Sequence, residues 1–236
     1  MPTNELAPDL VRLLRTVDTP TVCNAIEVAQ GKRGFERFTR QTVTPADPAL
    51  PAMCGFAMTA RIRASRPSRD PPEEVRARRM AYYRYMAEGP AQRVAVIEDL
   101  DGEDAVGAYW GEVNTTVHKG LGVDGALTNG LMRDLGDLAS DFQVLATGIG
   151  PSHAFVHVVE IDGPVSLFGM RVEPGEFIHA DRHGAVVVPD DVLSELPQAI
   201  ARMQASEALI LEPARQPGFD YEAFEAAWAA FEKARV

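Results

Sequence analysis

Gly125, Gly130, Arg133 and Asp134 fall within ten residues, and their types and spacing can set a cation beside a metal-capable carboxylate. Two glycines after an apolar strand let the backbone turn sharply and approach a ligand closely. Arg133 and Asp134 are expected at the start of a short helix. The planar donor fork of arginine suits a carboxylate or an α-keto acid. The aspartate is a hard oxygen ligand suited to Mg²⁺ or Mn²⁺. An ordinary surface Arg–Asp pair capping a helix is the plain alternative.

Glu112 is the second candidate, an acid after the apolar run AVGAYW and next to Trp110, Gly111 and Asn114. It faces either a cleft or solvent. Glu207 is the third. It falls by 3–4 spacing on the stripe Val192, Leu196, Ile200, Met203 and Ile210, and is either the wet edge of that stripe or an acid delivered into a neighbouring subunit. Of the five histidines, His153 and His157 lie four apart in what reads as a strand, which would separate them by about 13 Å and argues against a two-histidine zinc site. Asp181 and His183 fall in a turn that reads as a structural hairpin. The sequence has no HExxH, P-loop, GxSxG elbow or GxGxxG after a strand.

The elements that must position these residues follow from pattern. Helices are expected over 4–16, 20–29, 73–87, 105–121 and 190–211, with a second, aromatic helix in the tail. Strands are expected over 55–63 and 94–100, and residues 123–151 read as strand, glycine turn, short helix, strand. From 155 to 188 the pattern is all β, punctuated by Gly and Pro. The charged, proline-bearing segment 65–90 shows little core character and reads as an insertion or interface element. One α/β domain over 1–236 is expected, with its core at about 20–210 and a helical tail over 212–236.

Composition narrows the function classes. The 236 residues are 46% apolar and 24% charged, a globular balance. A net charge of −11 makes nucleic acid a poor partner. No apolar run is long enough to span a membrane, and the first twenty residues lack a secretory h-region, so a cytoplasmic protein is expected. Cys23 and Cys54 read as two reduced thiols.

Three stretches, TPTVCNAIE (19–27), GVDGALTNGLMRD (122–134) and VEPGEFIHADRHGAVVVP (172–189), together resemble the RraA-like family. That family holds aldolases acting on 4-hydroxy-4-methyl-2-oxoglutarate and 4-carboxy-4-hydroxy-2-oxoadipate, which also decarboxylate oxaloacetate. It also holds regulators that bind RNase E, and its members are often mislabelled demethylmenaquinone methyltransferases. The aldolases share an acid, twenty intervening residues, then Arg-Asp; here Glu112 precedes Arg133 by the twenty residues 113–132. The family's usual acid is Asp, so Glu112 departs from it while keeping the carboxylate. Asn24 stands where the first motif commonly has Asp, and 65–90 does not match.

The resemblance implies a swivelling β/β/α fold with helical N- and C-terminal extensions. It implies a trimeric or hexameric homo-oligomer with sites between subunits. It implies that Asp134 holds Mg²⁺ or Mn²⁺, that Arg133 binds the oxygens of a small 2-oxo acid, and that the backbone N–H groups of Val113 and Asn114 help hold the substrate's carboxylate. Glu112 becomes the candidate base and Glu207 the candidate acid from the adjacent subunit. The expected function is metal-dependent C–C cleavage of a 2-oxo acid through a pyruvate enolate. The alternative is a non-catalytic regulator that binds a ribonuclease or another protein.

Overall fold

A computed structural model describes residues 6–234. In chain order the elements begin α1 (Pro8–Thr16), α2 (Thr19–Gln30), β1 (Thr44–Pro45), β2 (Met53–Arg63), α3 (Pro72–Ala87) and β3 (Arg93–Asp99). After a 3₁₀ turn come β4 (Ala108–Trp110), α4 (Glu112–Gly120), β5 (Gly125–Thr128), β6 (Leu131–Met132), β7 (Gln143–Ala146) and β8 (Gly148–Ile149). The β-rich part holds β9 (His157–Ile161), β10 (Val165–Leu167), β11 (Met170–Val172), β12 (Phe177–Asp181) and β13 (Gly184–Val188). Helices α5 (Asp190–Leu193), α6 (Leu196–Ala214) and α7 (Tyr221–Ala234) follow. Residues 4 and 5 of the first expected helix lie outside the described residues.

The chain forms two compact units. One joins the described residues up to Thr19 to Phe35–Asp190; the other joins Pro20–Gly34 to the described residues from Asp191 on. The first unit is built on a sheet in the order β1-β7-β5-β3-β2-β12-β13, with β9 also pairing β2. Strands β7, β5, β3 and β2 run parallel, and β1, β12, β13 and β9 join antiparallel. The central strands are buried on both sides, which is why β2 and β3 read as near-continuous apolar runs.

The two-residue strand period sorts the core into two faces. Ala57, Val94, Val96, Leu127 and Leu145 belong to one cluster, covered by Val165, Leu167, Met170 and Val172 of the β10–β11 hairpin. Met58, Ala95, Ile97, Ala126 and Val144 belong to the other, with Tyr82 and Met86 of α3 and Trp110. Hairpin, sheet and helix thus make the β/β/α layering. The segment with little apparent core character therefore carries core residues, since Tyr82 and Met86 are fully buried. Their signal is diluted by the arginines around them.

Strands β2 and β3 approach closely at Gly55, where an added Cβ would lie 2.7 Å from the backbone nitrogen of Arg93. That neighbour is ladder backbone and cannot swing aside. Gly55→Ala is expected to destabilise the chain by about 1–3 kcal/mol, as overpacking does, visible as a lower urea midpoint with an unchanged slope.

In the second unit α6 buries Leu196, Ala199, Ile200, Met203 and Ser206, and it packs against α7. The expected 190–211 helix is two helices. The buried line on α6 continues from Met203 to Ser206, with Glu207 partly exposed beside it. Asn24 is exposed on α2. No helix among the described residues is long and apolar enough to cross a membrane.

Candidate active site

The site begins with a pairing the sequence pattern hides. The expected 105–121 helix starts only at Glu112, because residues 108–110 are drawn into a three-stranded sheet, β4-β6-β8. Trp110 pairs with Met132 in parallel, and the Arg133 N–H donates to the Trp110 carbonyl at 2.8 Å. The chain turns at Gly111 and enters α4. This brings Glu112 beside Arg133 and Asp134.

Arg133 and Asp134 do not start a helix. Asp134 is left-handed, with φ 57°, a conformation that Asp tolerates better than most residues. The Asp137 N–H closes a turn onto its carbonyl at 3.0 Å. The Asp134 carboxylate accepts the Glu112 backbone N–H at 3.1 Å and lies 3.3 Å from Arg133 Nη1. It therefore caps α4 from another loop, supplying an anion where the helix dipole favours one. The first helical bond of α4 runs from Thr115 N to the Gly111 carbonyl, so the amides of Val113 and Asn114 precede the ladder. On Arg133, Nη1 is committed to Asp134, while the Nε–H is buried without a partner.

Gly111 permits the approach. A Cβ there would stand 2.4 Å from Asp134 Oδ2 and 3.0 Å from Arg133 Cγ. The Glu112 side chain is exposed and Val113 is 69% exposed, whereas Asn114 is buried.

A buried polar network holds α4 from behind. Tyr83 Oη donates to Asn114 Oδ1 at 3.0 Å, and Asn114 Nδ2 donates to the Tyr109 carbonyl at 3.0 Å. His118 Nδ1 donates to the Asn114 carbonyl at 2.7 Å, so Nε2 accepts from Tyr82 Oη at 2.6 Å. Arg93 donates to the Gly89 carbonyl at 2.9 Å, and also to those of Pro90 and Leu121, tying the ends of α3 and α4 together. Sequence reasoning missed Tyr82, Tyr83, His118 and Arg93. No local spacing marks them, because their partners lie on other elements.

The remaining candidates serve the fold. His179 Nε2 donates to the Leu14 carbonyl at 2.8 Å, and its Nδ1 pairs with Thr19 Oγ1 at 3.0 Å. Asp181 accepts from Thr19 N and from His183, so the β12–β13 turn is the structural hairpin expected. His153 precedes β9 and His157 opens it, so they do not share a strand. Cys54 is buried and its thiol is pushed up to about 12 by burial, an inert thiol.

Three buried titratable groups set an acid response. Burial holds His118 down to about 4 and lowers His179 as well. Burial pushes Asp99 up to about 6; its Oδ2 is buried without a partner. As pH falls from about 6.5 to 4, the unfolded histidines take up protons that the folded ones refuse, and stability is lost. Asp99 works the other way, because the folded carboxyl is protonated first. Asp101 and Asp181 are raised by burial but lowered overall by their donors, and add to the loss from about pH 5 downward. Asp99→Asn, which removes the compensating proton, is expected to steepen the acid loss by up to about 1.4 kcal/mol per pH unit, measured by urea unfolding at pH 6.5, 5 and 4.

A family model described as RraA-like, Aldolase/RraA, matches residues 19–187. The chain belongs to the RraA-like family. Among solved structures, RraAS2 of Streptomyces coelicolor, described as an unusual member of the RNase ES inhibitor RraA protein family, is 26% identical with a TM-score of 0.65, over 87% of this chain and 98% of that one. An uncharacterised Pseudomonas syringae protein, 17% identical with a TM-score of 0.68 over 99% of this chain and 100% of that one, shares the fold. The chain spans only about a quarter and a half of the lengths of the two curated relatives. Protein DlpA of Legionella pneumophila is 28% identical over 163 residues, 64% of this chain and 26% of DlpA. The uncharacterised protein MJ0644 of Methanocaldococcus jannaschii is 32% identical over 107 residues, 44% of this chain and 51% of that protein. The RraA-like match includes β4, α4, β6, Arg133 and Asp134, the elements that build the site.

Proposed function

We propose that this RraA-like protein is a divalent-metal-dependent lyase. It cleaves a C–C bond of a small 2-oxo acid through a pyruvate enolate: retro-aldol of the 4-hydroxy-4-methyl-2-oxoglutarate type, with oxaloacetate decarboxylation at the same site. The observation that carries this reading is the convergence of Arg133, with its unpartnered buried Nε–H, on the Asp134 carboxylate and the first-turn amides of α4.

The donor set suits Mg²⁺ or Mn²⁺. Among the described residues no group of three or more His, Cys, Asp or Glu is arranged to hold a metal. Mg²⁺ is nevertheless usually held through one or two carboxylates, with water and substrate filling the rest of its shell. Asp134, held by two donors and 31% exposed at its side chain, is such a carboxylate. Glu207 of an adjacent subunit in a trimer or hexamer would add a second. When bound, the ion supplies Lewis-acid polarisation of the keto group.

The chain's own residues do the rest. The Arg133 fork binds the keto-acid oxygens and stabilises the charge that develops on the keto oxygen as the bond breaks. The amides of Val113 and Asn114 hold the substrate carboxylate at a helix N-terminus. Glu112 takes the 4-hydroxyl proton, the C3–C4 electron pair passes into the enolate, and the proton returns to C3 to give pyruvate. In decarboxylation, CO₂ departs with the same electron flow and only the final protonation is needed.

The test is pyruvate release from oxaloacetate in the presence of Mg²⁺ or Mn²⁺, against free metal and against EDTA. A rate above free metal that EDTA abolishes is the expected outcome. A wild-type rate equal to free metal would defeat the lyase reading. The second reading is a protein-binding regulator located in the cytoplasm, favoured by the likeness to RraAS2. Binding to a purified ribonuclease without keto-acid turnover would select it.

A further inference from the structure

The basic charge of the chain is unevenly placed. Residues 61–84 carry eight arginines against three acids, a net of +5 in a chain of −11. Part of this segment lines a cleft of about 610 Å³, a size typical of small-molecule sites. The cleft lies at the C-terminal ends of the parallel strands β2 and β3, where open α/β sheets place ligands. Its charged lining is Arg63, Arg66, Arg69 and His157 with Asp101 and Asp104. None of the proposed catalytic residues lines it.

The loop that displays these arginines is braced. Asp101 Oδ2 accepts the N–H groups of Ala64 and Ser65, each at 2.7 Å, and its Oδ1 lies 3.4 Å from Arg63. At the far end Asp70 pairs with Arg78 at 2.9 Å, and Arg78 donates to the Val158 carbonyl at 3.3 Å. Pro67, Pro71 and Pro72 further restrict the loop, which lowers the entropy cost of capturing a ligand. Asp101 is occupied by its donors. Among the described residues Arg66 and Arg69 form no ion pair.

We propose that this cleft binds a small dicarboxylate, with its two carboxylates separated by a short spacer and read by Arg66 and Arg69, at a site apart from Arg133. Two guanidinium groups on different residues of a restrained loop match two separated carboxylates, each able to take a two-pronged contact. Three arginines against two aspartates leave the lining near +1. That suits a dianion better than a densely charged polyphosphate.

Glutarate is the probe, because it has no keto group to engage the proposed catalytic residues. The experiment is calorimetric and NMR titration of the full chain at constant ionic strength. Wild type is expected to bind saturably, with Kd about 1 mM or tighter. Arg66→Ala/Arg69→Ala is expected to weaken binding at least about tenfold, or 1.4 kcal/mol. Arg133→Ala and a charge control, Arg171→Ala/Arg182→Ala, are expected to bind like wild type. Absence of saturation, equal loss in the charge control, or loss confined to Arg133→Ala would each overturn the proposal. Pyrophosphate binding tighter than glutarate would overturn the ligand class.

Discussion

Arg133→Ala is expected to lower metal-dependent pyruvate formation by about 10²–10³-fold in kcat, the cost of removing a preorganised donor to a developing oxyanion. The Nε–H of Arg133 is buried and unpartnered, while Nη1 is held by Asp134. The guanidinium is therefore anchored by one nitrogen and carries another donor that no group among the described residues uses. Its pair with Asp134 is about a third exposed on both sides, so its stability contribution is small and the variant should fold. Arg133→Lys should recover little, since an ammonium keeps the charge and loses the planar fork. Steady-state kinetics beside a urea melt would separate the two effects. A lysine variant with full activity would remove the fork from the mechanism.

Gly111→Ala is expected to cost about tenfold to a hundredfold in kcat/KM with little loss of stability, because misplacing reacting groups by about 1 Å is expensive. Gly111 has φ −136° and ψ −171°, extended backbone that alanine adopts freely. The new methyl would nevertheless stand 2.4 Å from Asp134 Oδ2. A carboxylate tip can rotate away, so the chain folds. The rotation takes Asp134 off the Glu112 amide and off the position proposed for the metal. The signature would be weaker apparent affinity for Mn²⁺ alongside a near-normal unfolding midpoint. Unchanged Mn²⁺ dependence would argue that Asp134 is not a ligand.

Legibility followed the range of the interactions. The motif GVDGALTNGLMRD marked Arg133 and Asp134 as candidates because glycines, an arginine and an acid are local signals, and the structure sets both beside the start of α4. The strand β2 and the β12–β13 hairpin were legible from short-range pattern and turn residues. The failures were non-local. AVGAYW reads as helix from its own residues, yet 108–110 become a strand because β6 offers an edge. The short helix after Arg133 is lost because Asp134 turns left-handed to reach α4. Tyr82 and Met86 sit among arginines, so their burial depends on a sheet face that 65–90 does not encode.

In the proposed lyase the Asp134 carboxylate would answer to two claimants, the free end of α4 and a divalent cation. Any cation that draws one of its oxygens away loosens the Glu112 amide. Occupancy is thereby transcribed into the protection of one backbone proton. The exchange rate of that amide becomes a built-in gauge of loading, readable without turnover, and it would register metal at the site even in a variant that has lost the chemistry.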